Sequence, residues 1–219
     1  MNIYIVISAF NEEKHIGKVV EEISSKNVPL IVVDDGSTDE TFNITRKTRN
    51  VLVLKHKINL GKGAAMKTGA EAAFLRGADA VVFMDADGQH KIEDFRYFKD
   101  ALGNGFDVVF GSRNLSHGVP LIRYMGNKFA SVLISILFGI YISDILSGYR
   151  AVTKRAFKKI EWESSGYGVE TEIVINTALA NLRHCEVPVA TVYLDKVKGV
   201  TLLDAVNILG DVIRWKVCK

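Results

Sequence analysis

Five short apolar runs, separated by four amphipathic stretches, constrain this chain more than any other feature. The runs lie at 3–7, 30–33, 51–54, 80–84 and 108–110, and the intervening stretches at 12–25, 39–48, 63–76 and 92–102. Continuous apolar runs of this length suit strands buried on both faces. Strands alternating with helices build a doubly wound, mostly parallel sheet. The predicted class is therefore α/β, a single domain with a Rossmann-like sheet flanked by helices. In open sheets of this kind ligands bind beyond the carboxyl ends of the strands. Polar residues stand at those ends: Asn11 and Glu12 after the first run, Asp34 and Asp35 after the second, Asp85 and Asp87 after the fourth.

The second half is less regular. Helical periodicity runs over 122–142, 153–160 and 170–182, a late strand is predicted at 187–194, and an amphipathic helix ends the chain over 202–219. Ser37-Thr38-Asp39-Glu40 reads as a capping box with Ser37 as N-cap. The most apolar segment, 129–142, falls short of the ~20 residues a membrane-spanning helix needs. It fits either a core helix or one lying in a membrane interface. With 219 residues, 48% of them hydrophobic, the chain can bury a full core without disulfides. Two cysteines fit neither a disulfide framework nor a zinc site and suit a reducing, intracellular setting. A net charge of +3 is far from the footprint of a nucleic-acid binder. The first seven residues read as a strand rather than a signal peptide.

Asp85-Ala86-Asp87-Gly88-Gln89-His90 carries the sharpest chemistry. Residues two apart on an extended segment point to one side, so Asp85 and Asp87 can face one ligand. Their repulsion is relieved by a hard divalent cation carrying phosphate oxygens. Asp34-Asp35-Gly36-Ser37 offers acceptors for a base or ribose edge, or forms a turn feeding a helix. Asn59-Leu60-Gly61-Lys62-Gly63 opens the third helix, where backbone N–H groups and Lys62 make a diphosphate site or, more plainly, a glycine-rich turn. Its spacing is not that of a Walker A loop. Arg113 and Arg123 suit an anionic acceptor, because a guanidinium fork matches phosphate geometry, although surface ion pairing is the blander reading. Asp144 would be the general base for a hydroxyl acceptor, whereas a phosphate acceptor is already anionic and needs none. Glu170 and Glu172, two apart on a helix, do not share a face and do not read as a catalytic pair. His90 could reach a metal but reads first as structural.

Six segments stand in order: Ser8-Ala9-Phe10-Asn11-Glu12-Glu13, Asp34-Asp35-Gly36-Ser37, Asn59-Leu60-Gly61-Lys62-Gly63, Asp85-Ala86-Asp87-Gly88-Gln89-His90, Gly111-Ser112-Arg113 and Ser147-Gly148-Tyr149-Arg150. Together they resemble family 2 inverting glycosyltransferases of the GT-A fold, most closely the dolichyl-phosphate mannose synthase branch. The resemblance covers 1–195 and leaves 196–219 as a C-terminal segment, on the membrane surface or docked on the domain. It implies a nucleotide-sugar donor (GDP-mannose or a UDP-sugar), Mg²⁺ or Mn²⁺, and transfer of a hexose to polyprenyl (dolichyl) phosphate. By position, Phe10, Glu12, Val33 and Asp35 would line the nucleoside pocket. Asp85, Asp87 and Gln89 would hold the metal and diphosphate, with Ala86 contributing backbone contacts. Arg113 and Arg123 would hold the acceptor phosphate, helped by Asn127, where serine is expected.

Other departures are Ser8 in place of a proline and a weak late basic motif, for which Lys196 or Lys198 would substitute. The resemblance further implies a protein peripheral on the cytoplasmic face of a membrane. The C-terminal spans many members carry are not seen here, so a separate membrane-anchoring subunit is a candidate partner. The alternative reading is a glycosyltransferase acting on a hydroxyl acceptor with Asp144 as general base. A nucleotidyltransferase would want a glycine-rich basic loop after the first strand, where this chain has acids.

Overall fold

A computed structural model of the chain describes residues 1–113, 121–166, 168–190 and 210–216, excluding the side chains of 121–123. Seven strands form one sheet in the order β3-β2-β1-β4-β6-β5-β7. They are β1 (Ile3–Ala9), β2 (Leu30–Asp34), β3 (Val51–Lys55), β4 (Ala80–Asp85), β5 (Val108–Arg113), β6 (Arg150–Thr153) and β7 (His184–Val189). All neighbours pair in parallel except β6, which runs antiparallel between β4 and β5. The helices are α1 (Ile16–Ser25), α2 (Thr41–Arg46), α3 (Lys62–Leu75), α4 (Phe95–Gly103), α5 (Leu121–Phe138), α6 (Lys154–Phe157) and α7 (Val169–Leu179). A last helical segment, α8, covers 210–216.

Successive residues of β1 point to opposite faces, and both faces are covered. Val6, Val33, Val81 and Phe83 pack with α3, α5 and α7, whereas Ile5, Ile7, Val32 and Met84 pack with α1 and α4. Helix α3 lies close to the sheet because its buried residues are small. A Cβ on Gly69 would sit 2.3 Å from Val6 Cγ1. That close approach carries the head of α3 to the ends of β1, β2 and β4.

All five early strands lie where the apolar runs are, and four helices fall in the amphipathic stretches. Four differences are instructive. Strand β6 lies just ahead of the helix expected over 153–160, where the sequence predicts no strand. It pairs on both sides with β4 and β5, and α6 is only Lys154–Phe157. Strand β7 begins at His184, ahead of the expected 187, because its register is set by β5 from Val108–His184 onward. Ser37 is not an N-cap: α2 starts at Thr41, whose N–H donates to Asp39 Oδ1, while Ser37 Oγ accepts from the Asn11 N–H. Helix α5 ends at Phe138, short of the expected 142.

Candidate active site

The acids at the strand ends meet a ring of fixed cations. Lys62, the first residue of α3, places Nζ 2.6 Å from Asp85 Oδ1 and 2.7 Å from Glu170 Oε1. His90 Nε2 lies 3.2 Å from Asp85 Oδ2. Burial would push the Lys62 ammonium down, but the Asp85 and Glu170 carboxylates outweigh it and hold it above the usual lysine value. Burial would likewise raise Asp85, yet Lys62 and His90 keep it well below the ordinary carboxylate range. Asp87 behaves in the opposite way. It lies past the end of β4, in a turn, rather than beside Asp85 on one extended strand, and one of its oxygens, Oδ1, accepts the Gln89 N–H at 3.0 Å. Its own burial, then the Asp85 charge, push its carboxyl up.

The Ser147-Gly148-Tyr149-Arg150 motif builds the floor under Asp85. A Cβ on Gly148 would fall 2.1 Å from Asp85 Oδ2, so only glycine admits the carboxylate. Tyr149 stacks on Phe98 at 4.3 Å and meets His90 at 5.0 Å, which fixes the imidazole. Arg150 is fully buried and donates to the carbonyls of Ile145, Ser147 and Glu170. Its guanidinium therefore ties the loop bearing Asp144 to the head of α7.

Beside this cluster, Arg113 at the end of β5 forms a fork with Asp144: Nε to Oδ2 at 2.6 Å and Nη2 to Oδ1 at 2.9 Å. Asp144 is buried and also accepts the Arg113 backbone N–H. Both of its oxygens thereby hold Arg113 in place. Asn127, expected to help hold a phosphate, is spent on the same loop. It donates to Ser143 O and accepts from the Ile145 N–H. The Arg123 side chain, Lys196 and Lys198 lie outside the described residues.

At the end of β2, Asp35 accepts the N–H groups of Leu60 and Gly61 and meets His56 Nδ1 at 2.6 Å. This pins the loop before α3. Gly36, at φ +73°, passes so close that a Cβ would meet the Ile58 carbonyl carbon at 2.5 Å. Phe10 is exposed at the mouth, and the Glu12 N–H donates to Thr41 Oγ1. Val33 is wholly buried under α3, so its side chain packs in the core and only its backbone can line a pocket. Ala86 is buried beneath the turn.

Two participants escaped the sequence reading. Glu170 and Glu172 face different ways, as expected of their spacing, yet both are buried and both build the site. Glu170 holds Lys62, and Glu172 accepts the N–H groups of Glu163 and Ser164, in the loop against which Gly61 and Gly63 pack. A long-range contact of this kind leaves no local signal.

Residues 4–161 match the model for glycosyl transferase family 2. The chain belongs to glycosyl transferase family 2. The UDP-N-acetylglucosamine–dolichyl-phosphate N-acetylglucosaminyltransferase of Methanococcus voltae is 33% identical, over 88% of this chain and 86% of that enzyme. The polyprenol monophosphomannose synthase of Mycolicibacterium smegmatis is 29% identical, over 93% of this chain and 82% of its own length. Among solved structures, glucosyl-3-phosphoglycerate synthase from Mycobacterium tuberculosis, in complex with Mn²⁺, UDP-glucose and phosphoglyceric acid, superposes with a TM-score of 0.74. It is 22% identical and is covered to 80%, with this chain covered in full, so it speaks for the GT-A fold. This family 2 chain is a glycosyltransferase.

Proposed function

We propose that the enzyme transfers a hexose from a nucleotide sugar to polyprenyl (dolichyl) phosphate, with inversion, at a membrane surface. The observation that carries this reading is the Arg113–Asp144 fork. The acid that the sequence offers as base for a hydroxyl acceptor is buried, and both its oxygens accept from the Arg113 guanidinium. An arginine so held suits a phosphate, which arrives ionised and needs no base. The names of the Methanococcus and Mycolicibacterium relatives, both transferases onto polyprenyl-type carriers, support the same acceptor class.

In this reading Phe10, Glu12, Asp35 and the Val33 backbone receive the nucleoside, and Lys62 faces the diphosphate. An oxygen of the acceptor phosphate, oriented by Arg113 with Arg123, bonds to the anomeric carbon. The bond from that carbon to the diphosphate breaks, and the electron pair leaves with the nucleoside diphosphate. Orientation and stabilisation of the leaving charge supply most of the rate, and no protein nucleophile is needed.

The residues fit a divalent ion. Among the described residues four carboxylates (Asp85, Asp87, Asp144 and Glu170) meet three fixed cations (Lys62, Arg113 and Arg150), and burial, then the Asp85 charge, push the Asp87 carboxyl up. Mg²⁺ or Mn²⁺ held at Asp87, with Gln89 beside it, would supply Lewis-acid neutralisation of the departing diphosphate.

Docking on lipid is supported by α5. Met125, Phe129, Val132 and Ile136 recur at spacings of four, three and four and are exposed at 61%, 60%, 44% and 76%. No Asp or Glu occurs from 114 to 143, directly after Arg113. An acid-free apolar stripe with Lys128 beside it suits anionic headgroups. Among the described residues no helix is long and apolar enough to cross a membrane. Part of the C-terminal segment docks on the domain, with Val212 and Trp215 buried in the core. A separate anchoring subunit and a cytoplasmic-face location complete the proposal.

The test is a panel of GDP- and UDP-sugars incubated with vesicles carrying polyprenyl phosphate and Mg²⁺ or Mn²⁺, with glycolipid read by mass. Glycolipid lost in Asp87→Ala is the expected result. Transfer only to soluble hydroxyl acceptors, abolished by Asp144→Asn, would overturn it.

A further inference from the structure

Asp85 was expected to share the metal with Asp87, but both of its oxygens are already occupied. Lys62 Nζ takes Oδ1 and His90 Nε2 takes Oδ2. Lys62 is not a loosely tethered surface lysine. Its backbone stands between two glycines that are locked in place. The Gly61 N–H donates to Asp35 Oδ2 and the Gly63 N–H to Ser165 O, while Trp162 Nε1 donates to Gly63 O. A Cβ on Gly63 would come 2.0 Å from Ser164 O, so the helix start cannot back away from that segment as anything but glycine. From the far side Glu170, buried at the head of α7, holds the same ammonium.

We propose that Lys62 is a resident cation locked onto Asp85 by Glu170, so that a divalent ion enters this site only together with the nucleotide diphosphate, through Asp87. This deepens the donor reading above and rests on it. Glu170 is a positioning residue: it acts through Lys62. With Asp85 taken, Asp87 is one carboxylate whose Oδ1 already accepts the Gln89 N–H. Among the described residues no three His, Cys, Asp or Glu side chains converge as an ion would need. A hard ion with six or more oxygen ligands gains little from one carboxylate over water, and the diphosphate oxygens supply the difference. Lys62 then remains in place as a second, protein-borne positive charge against the same diphosphate.

Mn²⁺ binding to the full chain, measured by calorimetry with and without UDP or GDP, tests this without any turnover. The wild type should bind Mn²⁺ at least about tenfold more tightly when the nucleotide is present. The double variant Lys62→Gln/Glu170→Gln removes one positive and one negative charge together, which leaves the net charge of the cluster unchanged and Asp85 with its His90 contact. It should gain nucleotide-free Mn²⁺ binding by about tenfold or more, as Asp85 opens. Equal Mn²⁺ affinity with and without nucleotide in the wild type, or no gain in the double variant, overturns the inference alone. Failure of UDP and GDP alike to bind, even with Mn²⁺, overturns the donor reading as well.

Discussion

Gly148→Ala adds one methyl group where the structure leaves no room for it. Gly148 does not occupy the left-handed backbone region, so alanine is compatible with its conformation and the effect is steric. The new Cβ would lie 2.1 and 2.4 Å from the two Asp85 oxygens and 2.5 Å from Cγ, where ordinary contacts begin near 3.4 Å. Asp85 must withdraw by roughly 1 Å, since overpacking of this kind is relieved only by displacement. That stretches the 2.6 Å contact to Lys62 and the 3.2 Å contact to His90. A charge-assisted hydrogen bond contributes about 1.5–3 kcal/mol, and breaking a buried ion pair costs about 3–5 kcal/mol. The expected loss is therefore about 2–4 kcal/mol, or a Tm lower by about 5–15 °C for a chain of this size. Thermal unfolding of four proteins settles the cause: wild type, Gly148→Ala, Asp85→Ala and the double variant. If the Asp85 carboxylate is what the methyl meets, Gly148→Ala costs almost nothing once Asp85 is alanine. Additive losses, or a Gly148→Ala protein with wild-type Tm and transfer activity, would refute the packing argument. Gly126→Ala is the control: its Cβ meets nothing within 4 Å in the exposed part of α5, and it should be neutral or stabilising by about 0.5–1 kcal/mol.

The raised Asp87 carboxyl makes the folded state hold its proton more tightly than the unfolded chain does. Stability should therefore fall as pH rises from the usual carboxylate range through the raised native value. Asp87→Asn should melt higher than wild type at neutral pH, lose this advantage in acid, and abolish transfer; equal Tm at both pH values would contradict the assignment. Arg113→Ala leaves the buried Asp144 without its fork and should cost about 3–5 kcal/mol, seen as a large fall in denaturant midpoint. The pair Arg113→Ala/Asp144→Ala should recover part of that loss, and failure to recover any would mean the fork is not the source. Phe129→Glu touches an exposed position and should shift stability by no more than about 0.5 kcal/mol, yet flotation with anionic vesicles should drop severalfold. Unchanged flotation would remove α5 from the lipid surface.

What the sequence made legible was everything whose cause is local. Apolar runs of three to five residues predict strands because such a strand needs nothing but its own side chains and two covering layers, and β1 to β5 lie where the runs do. The strand-end acids were legible for the same reason: Asp35, Asp85 and Asp87 follow apolar runs directly. Strand β6 was not. Its four residues, Arg-Ala-Val-Thr, are too short to carry a period, and they become a strand only because β4 and β5 present open edges to both sides. The roles within the site failed to show for a related reason. Asp144 looks like a base until Arg113, 31 residues away, is seen closing on it, and Glu170 looks like helix-start decoration until Lys62 arrives from a different helix.

Charge at a strand end announces a site, but partner choice decides whether a carboxylate binds metal, anchors an arginine or holds a lysine. Here three of the four acids are spoken for by protein cations and one, Asp87, is made electrostatically uncomfortable by its neighbour. A carboxylate held in that state at the end of a parallel sheet gains most from a cation brought by the ligand itself. On the donor reading proposed above, a cation arriving with the diphosphate would relieve the burial and the Asp85 repulsion that raise Asp87.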